Sequence, residues 1–199
     1  MFISNWLSNN YIEVFGAVTG IIFVFLEIRQ TLWLWPVGII TSAVYILVFF
    51  TGKLYADMSL QGYYLVISCL GWYWWLKGTG ENDKEGEKET LPVTRLTLRT
   101  GVVLGIVFVL LYAVLWLILS RLTDSPVPHW DSFITSLSIV ATWMLARKIY
   151  EHWLLWIVVN SVSVILFISR GLYPTVFLYI VYGIMSFAGL VEWKKTIKI

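Results

Sequence analysis

Residues 15–77 are read a second time at residues 133–195, at a constant offset of 118 positions and without a gap. The two copies carry the same residue at fifteen positions. This is roughly three times what so biased a composition gives by chance. The most similar part is the pattern Leu-Tyr-x8-Tyr-x6-Gly-x3-Trp, which starts at Leu54 and again at Leu172. The repeat predicts two copies of one structural unit.

The composition places both copies in a lipid bilayer. Of the 199 residues, 59% are hydrophobic and 13% are charged. A soluble domain carries about 25% charged residues. An α-helix needs about 20 mostly apolar residues to cross a bilayer. The sequence therefore predicts an all-α integral membrane protein with seven spans, near residues 11–26, 32–50, 55–76, 100–120, 133–146, 153–169 and 172–191.

The order of the spans predicts three helices, a connector and three more helices within a single membrane domain, residues 1–199. Residues 11–77 form the first three-helix repeat, and residues 131–195 form the second. Residues 78–99 are polar, Gly-rich and of mixed charge, which predicts a cytoplasmic linker. The aliphatic span 100–120 belongs to neither repeat and is expected to be the connector helix. With one span between them, the repeats are parallel, which is a transporter architecture with a substrate site near the middle of the membrane.

The basic residues predict how the helices are oriented, because Lys and Arg accumulate on the cytoplasmic side. Of the 14 basic residues, only Lys53, Arg121 and Arg170 fall on one side of the predicted spans. We therefore expect the N-terminus outside and the C-terminus inside the cell. The net charge of +2 is too small to indicate nucleic acid binding, and the lone Cys69 allows no disulfide framework.

Polar side chains inside the spans are costly, and so they are the candidate ligand contacts. The candidates are Ser138, Thr142, Asn160, Ser163, Tyr179 and Tyr182 in the second repeat and Tyr45, Gln61 and Tyr64 in the first. A Ser or Thr hydroxyl can bond to the carbonyl four residues earlier, so we expect most of them to be structural. The amides of Gln61 and Asn160 need other partners. Helix packing and ligand recognition account for these amides equally well.

Aromatic residues are the second signal, with 12 Trp, 11 Tyr and 11 Phe. Seven Trp residues near span ends are expected to be membrane-interface anchors: Trp6, Trp33, Trp72, Trp74, Trp75, Trp130 and Trp193. Trp153 and Trp156 differ, because they share one face of the sixth span with Asn160 and Ser163. Indole rings beside an amide and a hydroxyl suit a flat, polar, cationic heteroaromatic ligand.

The motif WxxWxxxNxxS at Trp153, preceded by Ala-Arg-Lys, resembles the PnuC family of bacterial vitamin transporters. The motifs WPxGII at Trp35 and GWYxW at Gly71 resemble the first repeat of the same family. The resemblance implies a SWEET-like fold in the bacterial inner membrane and a homotrimer. It also implies uptake of an unphosphorylated vitamin such as nicotinamide riboside, thiamine or riboflavin. The family's substrate contacts in the sixth span map onto Trp156 and Asn160.

Residues that the sequence lacks indicate which vitamin is transported and by what mechanism. The nicotinamide riboside branch of the family carries Ala-Gln-Trp in the fifth span, where this chain has Ala141-Thr142-Trp143. The missing amide favours thiamine, whose cationic thiazolium suits an aromatic cage, with nicotinamide riboside and riboflavin as alternatives. The sequence has no Gly-rich phosphate loop and no paired acids at mid-span. We expect facilitated diffusion by alternating access without cofactor or metal, with a cytoplasmic vitamin kinase trapping the product.

A membrane enzyme and a membrane sensor are the alternatives to a transporter. A membrane enzyme needs a nucleophile with its base or clustered metal ligands. Only His129 and His152 are present, on opposite sides of the membrane in the predicted topology, so we predict that the chain is not an enzyme. A membrane sensor that binds the vitamin without moving it stays an alternative. We expect the shared residues of the repeats to be scaffold and the binding chemistry to lie at differing pairs: Ser42 and Asn160, Gly38 and Trp156, and Gln61 and Tyr179.

Overall fold

The computed structural model describes residues 11–51, 55–78, 91–123 and 125–197, and these residues form seven α-helices. The helices are α1 (Tyr11–Ile28), α2 (Leu34–Thr51), α3 (Tyr55–Lys77), α4 (Leu98–Leu122), α5 (Pro128–Ala146), α6 (His152–Ser169) and α7 (Tyr173–Lys194). Within the described residues, β pairing is limited to one isolated bridge between Thr94 and Ile149. The predicted all-α class and the 3+1+3 order of helices along the chain are confirmed.

Most helix ends lie within a few residues of the predicted ones, and α5 is the exception. It begins at Pro128, five residues before the predicted start. Proline is favoured in the first helical turn, because its φ is already helical and its missing N–H is not needed there. The polar residues His129 and Asp131 follow directly, so this turn is not part of the apolar run that the prediction used.

The helices have the length and composition of membrane spans. The described residues include four helices that are long and apolar enough to cross a membrane, namely α2, α4, α6 and α7, and the apolar part of α1, Val14–Ile28, is shorter. None of the residues of α4 is buried within the chain, and its Val109 and Leu110 are each 60% exposed. An aliphatic surface of this size belongs in lipid rather than in water. The chain is an integral membrane protein.

The chain divides into two units, residues 1–76 and residues 77–199. In each unit, the first two helices of the repeat are joined by the same loop. Gln30 after α1 and Lys148 after α5 have φ angles of 53° and 52°, and they occupy equivalent repeat positions. In both loops this residue and the next donate backbone hydrogen bonds to the carbonyls three and five residues earlier, at 2.8 to 3.1 Å. This is the Schellman motif, which usually has glycine at the left-handed position.

The first unit contains a Trp ring seated against a helix glycine. Trp35 of α2 is fully buried, and it lies so close to Gly71 of α3 that a Cβ atom there would overlap the ring. Trp35 also meets Trp75 edge to face, with 5.3 Å between the ring centroids. The glycine allows α2 and α3 to approach each other at this level.

The second unit repeats this arrangement with the equivalent residues. Trp153 of α6 lies against Gly189 of α7, and its ring meets Trp193 edge to face at 5.8 Å. Trp75 and Trp193 are 2% and 0% exposed, so their predicted role as membrane-interface anchors is wrong. Both lie near a helix end as expected, but their rings pack inward on the other Trp. These shared residues are scaffold.

Residues 91–97, the last part of the predicted linker, pair with the loop between α5 and α6. The N–H of Thr94 donates to the carbonyl of Lys148 at 3.0 Å, and the N–H of Tyr150 donates to the carbonyl of Thr94 at 2.9 Å. The N–H of Leu96 donates to Oε2 of Glu151 at 2.7 Å. The chain is therefore fixed to this loop just before α4 begins. Residues 79–90 of the predicted linker lie outside the described residues, and the predicted domain boundaries stay predictions.

Aromatic side chains join the connector helix α4 to α5. The rings of Phe108 and Phe133 meet edge to face at 5.7 Å. His129 stacks on Trp116, whose Nε1 donates to Nε2 of the histidine at 3.2 Å. Because Nε2 accepts this bond, the neutral imidazole carries its proton on Nδ1, which lies 3.0 Å from the hydroxyl of Tyr112. The connector therefore packs on the second repeat.

Candidate functional site

Two polar groups on the predicted ligand face of α6 lack hydrogen-bond partners. Ser163 is 1% exposed and Trp156 is half-buried. Among the described residues, nothing bonds to Oγ of Ser163 or to Nε1 of Trp156, although both atoms are shielded from solvent. A buried polar group without a partner costs about 1–3 kcal/mol. Both groups therefore have hydrogen-bonding capacity to offer to a ligand.

Most other hydroxyls of the second unit are already committed to the backbone. Ser138, Thr142 and Ser161 each donate to the carbonyl four residues earlier, at 2.8 Å. These bonds agree with the expectation that a Ser or Thr hydroxyl in a helix can bond to the carbonyl four residues earlier. Ser161 and Ser163 are two positions apart on α6, yet only Ser161 makes the local bond. For Ser138 and Thr142, ligand contact stays a prediction.

Asn160 is held by a serine of the neighbouring helix α7. Its Nδ2 donates to Oγ of Ser186 at 3.1 Å, and Ser186 in turn donates to the backbone carbonyl of Tyr182 at 2.8 Å. Asn160 and Ser186 are 5% and 3% exposed. The helices approach closely here, because a Cβ atom at Gly183 would lie 3.9 Å from Cβ of Asn160. The sequence did not identify Ser186, whose identity with Ser68 of the first repeat indicated scaffold.

Aromatic rings form a connected row beside this pair. Tyr179 and Tyr182 of α7 meet edge to face, with ring centroids 5.9 Å apart. Tyr179 also packs on Phe167 of α6 at 5.1 Å. Both tyrosines are half-buried. The predicted residues Trp156, Asn160, Ser163, Tyr179 and Tyr182 thus lie on two adjoining helices, α6 and α7, of one unit.

Trp153 lies in the core of the second unit. Its ring is 1% exposed and is covered by Gly189, by Trp193 and by the imidazole of His152 at 4.7 Å. Its Nε1 has no hydrogen-bond acceptor among the described residues, which is also true of the equivalent Trp35. The surrounding rings shield Trp153 from a ligand on the α6 face. Its predicted ligand contact stays a prediction.

The predicted residues of the first unit are more loosely grouped. The hydroxyl of Tyr45 donates to the carbonyl of Ile12 at 3.3 Å, and its ring stacks on Phe49 at 5.5 Å. Tyr45 therefore fastens α2 to α1. Gln61 and Tyr64 are half-buried on α3. Ligand contact by Tyr45, Gln61 and Tyr64 stays a prediction.

The two units differ in which helix supplies bulk next to the predicted ligand face. In the first unit, a Cβ atom at Gly38 of α2 would lie 2.9 Å from Oγ of Ser68 of α3 and 3.0 Å from the ring of Phe23 of α1, so these two side chains occupy this space. The equivalent residues of the second unit are Trp156 on α6 and the buried Ala141 on α5. In the first repeat the large residue is on the first helix, and in the second repeat it is on the second helix. At this repeat position, the second unit alone has an indole ring.

Among the described residues of the second unit, the charged side chains lie near helix ends and in loops. Burial lowers the pKa of Lys148, in the loop between α5 and α6, to about 8. In the described part of the chain, no group of three or more His, Cys, Asp and Glu residues is placed to hold a metal ion. The site on α6 and α7 therefore offers stacking surfaces and neutral hydrogen-bonding groups.

Comparison with known proteins gives the family. Residues 10–195 match the family model described as nicotinamide mononucleotide transporter. The chain is 29% identical to the nicotinamide riboside transporter PnuC of Escherichia coli (strain K12), an alignment covering 92% of this chain and 85% of the relative. It is 27% identical to the riboflavin/roseoflavin transporter RibM of Streptomyces davaonensis, covering 95% and 92%.

A solved structure has the same fold. The crystal structure of the vitamin B3 transporter PnuC matches with a TM-score of 0.74 and 26% sequence identity, covering 98% of this chain and 86% of that chain. The relatives and this structure are transporters of vitamins rather than enzymes. Because the family model spans nearly the whole sequence and the helical fold agrees, the chain belongs to the PnuC family of multi-pass membrane vitamin transporters.

Proposed function

We propose that α6 and α7 of the second unit bind the transported vitamin. The supporting observation is the pair of unpartnered groups, Nε1 of Trp156 and Oγ of Ser163, on the helix face that also carries Asn160. An indole ring offers a stacking surface, and the hydroxyl and the amide offer hydrogen bonds at its edge. Tyr179 and Tyr182 supply further aromatic surface on the adjoining helix. The ligand that suits this surface is a flat heteroaromatic ring with polar substituents.

The proposed vitamin is thiamine. Thr142 stands where the nicotinamide riboside branch carries Gln, and its hydroxyl donates to the backbone carbonyl of Ser138. This position therefore offers no amide. The thiazolium ring of thiamine is cationic and stacks favourably on an indole such as that of Trp156. Relatives named as nicotinamide riboside and riboflavin transporters supply the alternatives. Nicotinamide riboside is the stronger one, because it is also planar and cationic.

The proposed mechanism is facilitated diffusion by alternating access. Its support is the placement of acidic groups, since Asp57 and Asp131 lie in the first turns of α3 and α5. Coupling to protons or sodium would ordinarily use ionisable groups deeper in the membrane.

We further propose a homotrimer in the bacterial inner membrane, with the N-terminus outside and the C-terminus inside. A cytoplasmic kinase would phosphorylate the vitamin and so keep it in the cell.

The binding experiment uses purified protein with thiamine, nicotinamide riboside and riboflavin in parallel titrations. We expect thiamine to bind most tightly, and Trp156→Ala, Asn160→Ala and Ser163→Ala each to weaken its binding by about tenfold. Ser161→Ala is the matched control, because this exposed serine lies on the same helix and its hydroxyl is bonded to its own backbone. If nicotinamide riboside binds more tightly than thiamine, nicotinamide riboside is the substrate instead. Equal loss in the Ser161 and Ser163 variants would contradict the proposed site.

Transport is tested in liposomes that contain the protein. Counterflow of labelled vitamin is expected, because a facilitator exchanges substrate in both directions. Binding without counterflow would identify a sensor instead. Uptake should equilibrate without any imposed ion gradient, and a strict requirement for a proton or sodium gradient would refute facilitated diffusion.

A further inference from the structure

The hydrogen bonds around Ser186 fix the direction in which the amide of Asn160 points. The hydroxyl proton of Ser186 is used in the bond to the carbonyl of Tyr182, at 2.8 Å. A carbonyl oxygen only accepts, so Ser186 must be the donor in that bond. Its Oγ can then only accept from Asn160. The amide group that faces Ser186 is therefore NH2, which agrees with the Nδ2 to Oγ distance of 3.1 Å.

An asparagine side chain otherwise has two nearly equivalent orientations, which exchange its oxygen and its nitrogen. In water or in an isotropic pocket both are available. Here the reversed orientation would place Oδ1 against the lone pairs of Ser186, with no proton between the two oxygen atoms. Because Asn160 and Ser186 are 5% and 3% exposed, water does not replace the missing bond. Asn160 therefore always directs Oδ1, a hydrogen-bond acceptor, away from Ser186.

We propose that Ser186 is a positioning residue, which holds Asn160 so that Oδ1 accepts a hydrogen bond from an amino group on the ring of the transported vitamin. This inference rests on the proposed function of the α6 and α7 face. It defines the ligand by chemistry: a flat heteroaromatic ring whose exocyclic substituent donates N–H. The aminopyrimidine of thiamine and the carboxamide of nicotinamide riboside both meet this requirement. An analogue with an oxygen acceptor in place of the amino group is rejected.

The first unit provides a comparison within the same chain. Ser68 is the equivalent of Ser186 and is also buried, at 4% exposure. Its unit carries Ser42 where the second unit carries Asn160. The serine on the third helix of each repeat is thus shared, and the amide that it orients exists in the second repeat alone. Ser68→Ala therefore reports the cost of losing a buried serine without changing an amide.

The experiment measures discrimination between paired ligands that differ at the amino group. The pairs are thiamine with oxythiamine and nicotinamide riboside with nicotinic acid riboside, titrated against the purified full-length protein. The wild type is expected to prefer the amino member. In Ser186→Ala the amide is free to reverse, so the ratio of the two dissociation constants is expected to fall by about tenfold. Ser186→Thr keeps an oxygen that bonds to the backbone and is expected to restore the wild-type ratio.

The outcomes separate this inference from the proposed function. If the wild type binds no member of either pair, thiamine and nicotinamide riboside are both excluded as the transported vitamin, and this inference fails with them. If the wild type binds a vitamin but Ser186→Ala keeps the wild-type ratio, the inference is overturned while the proposed function stands. A ratio that falls equally in Ser68→Ala overturns it as well. Should the alanine variant fail to fold, Ser186→Cys reads out the same ratio, because a thiol fills the space but accepts weakly.

Discussion

Gly189→Ala is the substitution whose effect the structure defines most closely. The added Cβ atom would overlap the six-membered part of the Trp153 ring: it would lie nearest to Cη2 and Cζ2, and 2.5 Å from Cε2. An ordinary carbon contact is about 3.5–4.0 Å, so the ring or helix α7 would have to move by about 1 Å. Trp153 is 1% exposed and its neighbour Trp193 is fully buried, which leaves the ring no free space.

The size of the effect is the overpacking penalty, reduced by the gain in helix propensity. Inserting a methyl group into a well-packed core costs about 1–3 kcal/mol. Alanine in place of glycine inside a helix returns about 0.5–1 kcal/mol. Gly183→Ala on the same helix gains the same propensity term, and its Cβ atom would meet nothing nearer than 3.9 Å. The propensity terms cancel between the two variants, which should therefore differ by about 1–3 kcal/mol.

The assay is thermal unfolding of the purified protein, followed through its Trp fluorescence. A difference of about 1–3 kcal/mol corresponds to about 2–12 °C in Tm for a chain of this size. Gly189→Ala should melt lower than the wild type, and Gly183→Ala at or above it. Adding Trp153→Phe to Gly189→Ala should recover part of the loss, because a smaller ring leaves room for the methyl group. Equal melting temperatures for the two alanine variants would refute the packing argument.

Three further substitutions test other parts of the structure. Burial lowers the pKa of Lys148 from 10.5 to about 8. Between pH 8 and 10.5 the unfolded chain therefore binds more protons than the folded chain, and the free energy of unfolding should rise with pH. Melting curves measured across this pH range should show the rise in the wild type and not in Lys148→Met. Ala141→Phe should displace the Trp156 ring and weaken vitamin binding about tenfold, whereas Ala141→Ser should change it less than about twofold. Glu151→Ala should speed hydrogen exchange at the amide of Leu96, and Glu151→Gln, which keeps an acceptor, should not.

The helices and the repeat are predictable because they depend on local and additive properties. An apolar run long enough for a bilayer identifies a span without knowledge of its neighbours. The repeat also indicated that Gly71 and Gly189 are scaffold, as the packing of Trp35 and Trp153 bears out. The start of α5 at Pro128 was missed, because a polar first turn carries no hydropathy signal.

The roles of individual side chains depend on packing between helices, which the sequence does not contain. Trp193 has the position of an interface anchor, but it is turned inward by a glycine and a second Trp. Ser161 and Ser163 have the same side chain on the same helix, yet the exposed Ser161 bonds to the backbone and the buried Ser163 does not. Ser186 was missed because its partner Asn160 lies 26 residues earlier in the chain.

The Trp rings seated on Gly71 and Gly189 restrict how each unit can move. Trp35 and Trp153 lie in the first turns of α2 and α6, and each ring occupies a notch in the backbone of the third helix of its repeat. Neither helix of such a pair can shift or rotate at this level unless the buried Trp ring first moves away from the glycine. We therefore expect each helix pair to stay fixed at this level, and any bending within a unit to occur toward the opposite ends, where α2 ends at Thr51 and α6 ends at Ser169.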